Sequence, residues 1–348
     1  MISVLIVDDS ATARLSIRQA LESDPQVQVV GEAATGEKAL LLVKRHSPDI
    51  VTMDVFLHQE NGLDVAEAIM TRFPRPILVV TGGDVTDPTL AFRAIEAGAL
   101  EVCGKLPSPR SPDYPQQRDR FVRLVKTLAR VPVVSRHRRA SRSQDRVLER
   151  PAVQVAEEPR QQPQLLVMGA STGGPPVLSG ILGRLPRSFP LPIAVVQHME
   201  GSFVKGFSVW LADVTGHDVV CVEDWSPMAP GTVYVPRAQR HLRCTSASRV
   251  VAADEAPRGF HRPSVDVLFE SAARRVGRDV IGVLLTGMGH DGVAGLKELH
   301  DAGGLTIAQD PLSCAVGSMP GHAIECGAAR VVLSPDKIAG KILRSLRI

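Results

Sequence analysis

Three residue types that together make an acyl-transfer centre follow apolar runs in the second half of the chain: Ser171, His198 and Asp291. Ser171 lies in Gly169-Ala-Ser-Thr-Gly173, directly after Leu165-Leu-Val-Met168. A G-x-S-x-G turn between a buried strand and a helix bends sharply on its small residues and lifts the hydroxyl clear of the sheet. It also aims helix N-terminal N–H groups at the place where an oxyanion would form. Such a turn also serves as a phosphate-binding or purely structural loop, so the serine needs a base before it becomes a nucleophile. His198 ends Val195-Val-Gln-His198, and Asp291 lies in the glycine-rich Leu284-Leu-Thr-Gly-Met-Gly-His-Asp-Gly292. A neutral imidazole would take the serine proton, and a carboxylate on its other nitrogen would fix the tautomer and stabilise the imidazolium. His290 is a rival base, but neighbouring side chains on a turn usually diverge. Asp291 also has a plainer reading, as the N-cap of the helix running through Leu296 and Leu299.

The first half carries a different constellation. Asp8 and Asp9 follow Val4-Leu-Ile-Val7, Asp54 follows Ile50-Val-Thr-Met53, Thr81 follows Ile77-Leu-Val-Val80, and Lys105 follows Leu100-Glu-Val-Cys103. Clustered carboxylates are costly unless a cation joins them. Mg²⁺ suits them because it takes few carboxylates and keeps positions for water or phosphate. A hydroxyl and an ammonium beside an aspartate are what a phosphoryl group there would need. Asp8-Asp9 alone could simply cap a helix; five such residues at four strand ends are far less expected by chance.

These positions require a framework that delivers strand ends to one edge. In the first 130 residues, five short apolar runs (those above and Val27-Gln-Val-Val30) alternate with helical stripes such as Ala13, Ile17, Ala20 and Leu21, and Phe121, Leu124, Val125 and Leu128. Strands alternating with helices predict an α/β fold, a parallel sheet covered on both faces. A strand order of 2-1-3-4-5, flavodoxin-like, would bring Asp8, Asp9 and Asp54 together at the switch point. From Gln164 a second α/β pattern begins, with strands expected at 165–168, 193–196, 232–235, 280–285, 305–308 and 331–333. Ser334-Pro335 then starts the last helix. The expectation is a doubly wound, Rossmann-like sheet with Ser171, His198 and Asp291 at its carboxyl edge.

Between the halves, 131–163 has no sustained apolar period and reads as a flexible linker, about 30 Å in r.m.s. span as a coil. The expected division is therefore 1–130, 131–163 and 164–348. The 348-residue chain carries a net charge of +3. Residues 133–163 hold seven arginines against four carboxylates, which accounts for all of that charge. A basic linker between neutral domains, without interleaved aromatics or a helix-turn-helix pattern, argues against nucleic-acid binding. No apolar stretch has membrane-spanning length, and carboxylates come too early for a signal peptide. Five cysteines without C-x-x-C pairing read as reduced thiols of a cytoplasmic protein.

Over residues 1 to about 128 the sequence resembles the receiver domains of two-component response regulators. That resemblance implies that Asp54 is the phosphoacceptor. Asp8, Asp9 and Asp54 would hold Mg²⁺ with the backbone carbonyl of Phe56, while Thr81 and Lys105 would read the phosphoryl group. Residues 164–348 resemble the catalytic domain of CheB-type chemotaxis proteins, receptor-glutamate methylesterases that also deamidate glutamine. The matching stretches are Gly169–Gly174, Val195–Met199, His261-Arg-Pro-Ser-Val-Asp-Val-Leu-Phe269, Leu284–Gly292, Ala308-Gln-Asp310 and Gly317-Ser-Met-Pro320. The resemblance implies Ser171 as nucleophile, His198 as base, Asp291 as its orienter, and Thr172 and Met288 as lining near the oxyanion. No cofactor is expected in the esterase site. The implied partners are methyl-accepting chemotaxis receptors as substrate and a histidine kinase as phosphodonor, with no membrane insertion. The chain departs from the family at His58 (usually proline), at Leu106 between Lys105 and Pro107, at Val102 (usually aromatic), at Glu200 and at Pro311. The alternative is a response regulator whose output domain only binds a partner.

Overall fold

The computed structural model describes residues 1–58, 60–82, 88–131, 133, 163–199 and 201–347. The chain divides into two units, Met1–Arg150 and Pro151–Ile348. Apart from Val131, Val133 and Pro163, the expected linker lies outside the described residues, as does Glu200.

The first unit runs β1 (Ile2–Val7), α1 (Ala11–Leu21), β2 (Val27–Ala33), α2 (Gly36–His46), β3 (Ile50–Met53) and the small hairpin β4 (Phe56–Leu57) and β5 (Glu60–Asn61). It continues with α3 (Gly62–Arg72), β6 (Ile77–Thr81), α4 (Pro88–Glu96), β7 (Glu101–Gly104) and α5 (Tyr114–Leu128). Its five-stranded sheet has the order β2-β1-β3-β6-β7, all parallel. This is the 2-1-3-4-5 order that brings the strand ends carrying Asp8, Asp9 and Asp54 together. Val4–Val7, Ile50, Val51, Met53 and Ile77–Val80 are buried because both faces carry helices. On α5 the inward stripe is Phe121, Val122, Val125 and Leu128. Leu124, expected inside, is only half-buried.

The second unit comprises β8 (Leu165–Ala170), α6 (Gly174–Leu182), β9 (Ile193–Gln197), α7 (Val204–Thr215), β10 (Val219–Val222), β11 (Trp225–Pro227), β12 (Val233–Pro236), β13 (His241–Ser246) and β14 (Arg249–Ala253). Then follow α8 (Val265–Arg275), β15 (Val280–Leu284), α9 (Val293–Asp301), β16 (Leu305–Gln309), α10 (Ser318–Glu325), β17 (Val331–Leu333) and α11 (Pro335–Ser345). Seven parallel strands lie in the order β10-β12-β9-β8-β15-β16-β17. The chain reverses direction of travel across the sheet between β8 and β15, which puts the switch point where their carboxyl ends meet. A separate antiparallel sheet, β11-β14-β13, was not expected from the sequence. Its strand β13 carries Arg243 and Thr245 and lacks the aliphatic run of the parallel core, whereas β14 has one in Val250-Val-Ala-Ala253.

Candidate functional site

At the carboxyl edge of the seven-stranded sheet, the backbone ladder continues past the strand ends and fixes the loops that follow. The His198 N–H donates to the Ala170 carbonyl at 2.9 Å, Leu285 N–H to Gly169 at 2.9 Å, and Ser171 N–H to Thr286 at 2.9 Å. The turn after β8 is completed by Gly173 at φ +75°, where an added Cβ would lie 2.3 Å from that of Ala315. Only glycine fits there. α6 begins at the next residue, with its N-terminus beside the serine. Ser171 is 9% exposed.

His198 Nε2 lies 2.7 Å from Asp291 Oδ2. An ionised carboxylate only accepts, so Nε2 carries a proton, and in the neutral ring Nδ1 presents its lone pair. Nδ1 is buried and has no hydrogen-bond partner among the described residues, the Ser171 hydroxyl included. Catalytic contacts of this kind commonly tighten only when substrate is bound. His290, the rival base, stacks on His322 with ring centroids 3.8 Å apart, while the bond to Asp291 is made by His198.

Asp291 does not cap the helix that follows it: the N-cap of α9 is Gly292, in the left-handed region. Its carboxylate instead sits on the N-terminus of α8. Oδ1 accepts from the Ser264 hydroxyl at 2.7 Å and from Asp266 N–H at 3.1 Å, and Oδ2 accepts from Val265 N–H at 2.7 Å. Burial alone would raise its pKa. The His198 bond and charge, with the Ser264 and Val265 donors, outweigh burial and hold it well below the usual carboxylate range. Nearby Asp266 moves the other way, to about 6, through burial and the Asp291 and Glu270 charges, despite a Gly295 N–H bond.

Sequence reasoning missed His261. Its ring stacks on that of His198 at 4.1 Å with planes 6° apart, and burial followed by the His198 charge lowers its pKa. Ligand atoms of His198, His261 and Asp291 lie within 4.8 Å of one another. Cofacial rings direct their nitrogen lone pairs in parallel planes, however, and do not converge on one ion. Ser264 was also missed, although Ser before an amphipathic run is a legible N-cap signal. Thr172 lies on the serine turn, and its carbonyl accepts from Thr286 Oγ1 at 3.0 Å. Met288 is 47% exposed on the Asp291 loop.

In the first unit, ligand oxygens of Asp8, Asp9 and Asp54 lie within 4.8 Å of one another, brought together by adjacent β1 and β3. Asp54 is buried; its Oδ1 accepts from Val55 N–H at 2.7 Å. Lys105 Nζ lies 2.7 Å from both Asp8 Oδ2 and Asp54 Oδ2. Burial raises the Asp54 pKa more than the Lys105 bond lowers it. For Lys105 burial pulls downward, but bonds to Asp54 and Asp8 prevail and raise it. Thr81 ends β6 and is buried. Arg14 donates to the carbonyls of Asp8 at 2.7 Å and Asp9 at 3.1 Å, which pins the acidic pair. His58 bonds Asp9 Oδ2 through its ring Nδ1 and, at 3.2 Å, its backbone N–H. Three converging carboxylates beside the Phe56 strand are hard oxygen donors of the type Mg²⁺ takes.

The family model for CheB methylesterase matches residues 166–342, and that for the response regulator receiver domain matches residues 4–110. The chain is 40% identical to the protein-glutamate methylesterase/protein-glutamine glutaminase 3 of Anaeromyxobacter dehalogenans, over 100% of both chains. It is 39% identical to enzyme 2 of that name from Methanospirillum hungatei, over 99% of this chain and 98% of that one. The crystal structure of the Thermotoga maritima CheB methylesterase catalytic domain is similar at a TM-score of 0.50 and 36% identity, covering 52% of this chain and 98% of that one.

Proposed function

The chain belongs to the CheB methylesterase family, in the form that carries a response regulator receiver domain, and on that premise we propose that it is a phosphorylation-regulated serine esterase. It hydrolyses glutamyl methyl esters on methyl-accepting chemotaxis receptors and deamidates receptor glutamines. The observation that carries the reading is the His198–Asp291 bond at 2.7 Å with the opposite ring nitrogen, Nδ1, buried and unbonded. That is the arrangement of an oriented base awaiting a hydroxyl proton.

The steps follow from the geometry. Ser171 Oγ attacks the γ-carbonyl carbon as His198 Nδ1 takes its proton, and the Asp291 carboxylate stabilises the imidazolium. The tetrahedral oxyanion forms beside the α6 N-terminus, with Thr172 and Met288 as its lining. The intermediate collapses; His198 returns the proton to the departing methoxide or amide nitrogen, and methanol or ammonia leaves. Water, deprotonated by His198, then cleaves the acyl-serine ester and releases glutamate. Both substrates share one acyl-enzyme, which is how one serine serves ester and amide.

Residues 1–130 form the phosphorylated unit, 131–163 the tether and 164–348 the esterase. Asp54 accepts the phosphoryl group from a histidine kinase, Thr81 and Lys105 bond its oxygens, and Asp8, Asp9, Asp54 and the Phe56 carbonyl hold Mg²⁺. When bound, that ion neutralises charge on the transferring phosphoryl group. Among the described residues no helix is long and apolar enough to cross a membrane, and a cytoplasmic location fits a kinase partner. A purely partner-binding output is not favoured, because all three catalytic residue types are present at one sheet edge. The test is methanol release from methylated receptor by Ser171→Ala. Loss of release together with loss of fluorophosphonate labelling supports the triad; full activity would overturn it.

A further inference from the structure

Gln197 is the last residue of β9, immediately before His198, and it is 7% exposed. Its side-chain Nε2 donates two hydrogen bonds, one to the Ser171 carbonyl at 2.8 Å and one to the His198 carbonyl at 2.9 Å. One amide nitrogen therefore ties the backbone of the nucleophile to that of the base. The Ser171 carbonyl receives a second donor, Gly174 N–H at 2.8 Å. The opposite face of the same turn is held by Ser171 N–H on the Thr286 carbonyl. Thr286 N–H in turn donates at 2.9 Å to Oε1 of Gln309, the last residue of β16. Two buried glutamines at the carboxyl ends of the strands flanking β8 and β15 thus brace the loops that carry the reacting groups.

The Gln197 amide pays for this placement. Its Oε1 is buried without a hydrogen-bond partner, pressed against Gly174, where an added Cβ would lie 2.1 Å away. A buried acceptor left unsatisfied is unfavourable. Rotating the amide by half a turn would place that oxygen against two carbonyl oxygens, which is worse. Leucine would remove the orphan acceptor but also both donors. Glutamate would set a charge against two carbonyl dipoles. Asparagine is one methylene too short to reach both. Only a neutral side chain of this length with an NH₂ terminus meets the requirement.

We infer that Gln197 is a positioning residue for the esterase reaction: its bifurcated donation to the Ser171 and His198 carbonyls sets the distance between the hydroxyl and the base. The inference rests on the Ser171–His198–Asp291 reading above. Near-attack geometry in such a pair is exacting, and small displacements cost orders of magnitude in rate. The hydrogen bonds of Gln197 go to backbone carbonyls and not to the Ser171 hydroxyl or the His198 ring, so its loss is expected to lower kcat and leave KM alone.

The experiment uses the full chain and two readouts: methanol release from methylated receptor and the second-order rate of Ser171 labelling by a fluorophosphonate. Gln197→Met is the near-isosteric variant without donors; Gln197→Asn keeps the amide but not the reach, and covers the case in which Gln197→Met fails to fold. In both, kcat and the labelling rate fall at least tenfold together, KM stays within twofold, and the thermal unfolding midpoint shows that the wild-type fold is kept. Gln197→Glu falls further, through repulsion of the two carbonyls. A wild type that labels, alongside folded Gln197→Met and Gln197→Asn chains that label equally fast, overturns the inference while leaving the triad intact. A rise in KM at constant kcat also overturns it. A wild type that does not label at all defeats the triad reading itself, so the two failures are distinguishable.

Discussion

The Ser264 hydroxyl donates to Asp291 Oδ1 at 2.7 Å while accepting from Val267 N–H at 3.4 Å, so one residue both caps α8 and holds the carboxylate that holds His198. The orienting acid is thus fixed by a helix from another part of the chain, together with the Val265 and Asp266 N–H groups. Ser264→Ala removes a cap, worth ~1 kcal/mol, and a hydrogen bond to a charged group, worth about 1.5–3 kcal/mol. Urea denaturation is expected to show a loss of roughly 2.5–4 kcal/mol, and kcat to fall about tenfold through a looser imidazole. Unchanged kcat in a folded variant would show that the two backbone donors suffice.

Asp266 gives a pH dependence of stability with a defined sign. Its folded pKa, about 6, lies above the ordinary 3.8. Folding therefore favours its protonated form, and its contribution is present at low pH and is lost as pH rises through about 6. Asp291 has the opposite sign: its depressed pKa contributes stability above the usual carboxylate range, lost as pH falls through the depressed value. Asp266→Asn keeps an oxygen for Gly295 N–H and removes the charge beside Asp291 and Glu270. At pH 8 it should stabilise the protein by roughly 1–3 kcal/mol, and at pH 4 by little. Equal effects at both pH values in urea titrations would contradict the assignment.

How much of this was legible in the sequence depends on what kind of residue does the work. Ser171, His198 and Asp54 follow buried runs of aliphatic residues, and such runs announce parallel strands and therefore their ends. The same alternation announced a parallel sheet, and the order 2-1-3-4-5 is the one that makes neighbours of the strands ending in Asp8 and Asp54. The partners of Asp291 were not legible, because they come from the start of α8 across a long sequence gap, and only the fold brings Ser264 to the β15 edge. His261 was visible within a family-like stretch, but nothing in its spacing says that its ring lies on His198. Strand β13 was missed since it alternates Arg243 and Thr245 with apolar residues, and a half-polar alternation of that length is weak evidence; β14 was missed although it carries the apolar run Val250-Val-Ala-Ala253. Gln197 lay one residue beyond the strand expected at 193–196, and nothing in the sequence marks the two carbonyls to which its amide donates.

His58 competes for a carboxylate that the metal would use. Its ring Nδ1 and backbone N–H both engage Asp9 Oδ2, and proline, usual at this position, has neither donor. Burial would raise the Asp9 pKa, yet these bonds and the His58 charge bring it down. A cation approaching Asp9 must first displace them. His58→Pro is therefore expected to bind Mg²⁺ about three- to tenfold more tightly, the equivalent of one hydrogen bond. Isothermal titration of the full chain with MgCl₂ reads this directly, without reference to catalysis. Weaker binding in His58→Pro would mean that His58 pre-orients Asp9.

The proposed function makes Asp54 the residue through which phosphorylation reaches the esterase. Its Oδ2 lies 2.7 Å from Lys105 Nζ, which also neutralises Asp8 at 2.7 Å. A phosphoryl group on Asp54 brings further negative charge to the same ammonium, and the Lys105–Asp8 pairing must rearrange to meet it. With acetyl phosphate and Mg²⁺, methanol release by the wild-type chain should rise. Asparagine at 54 cannot form an acyl phosphate, so Asp54→Asn should show neither the rise nor a shifted band on a phosphate-retarding gel. Lys105→Ala separates uptake from readout: it should still take phosphate but lose most of the rise. Because Val102 and Leu106 stand where the receiver's readout residues usually lie, the size of the wild-type rise measures how much of the switch this chain retains. Equal stimulation of Asp54→Asn would show that acetyl phosphate acts elsewhere and that Asp54 does not control Ser171.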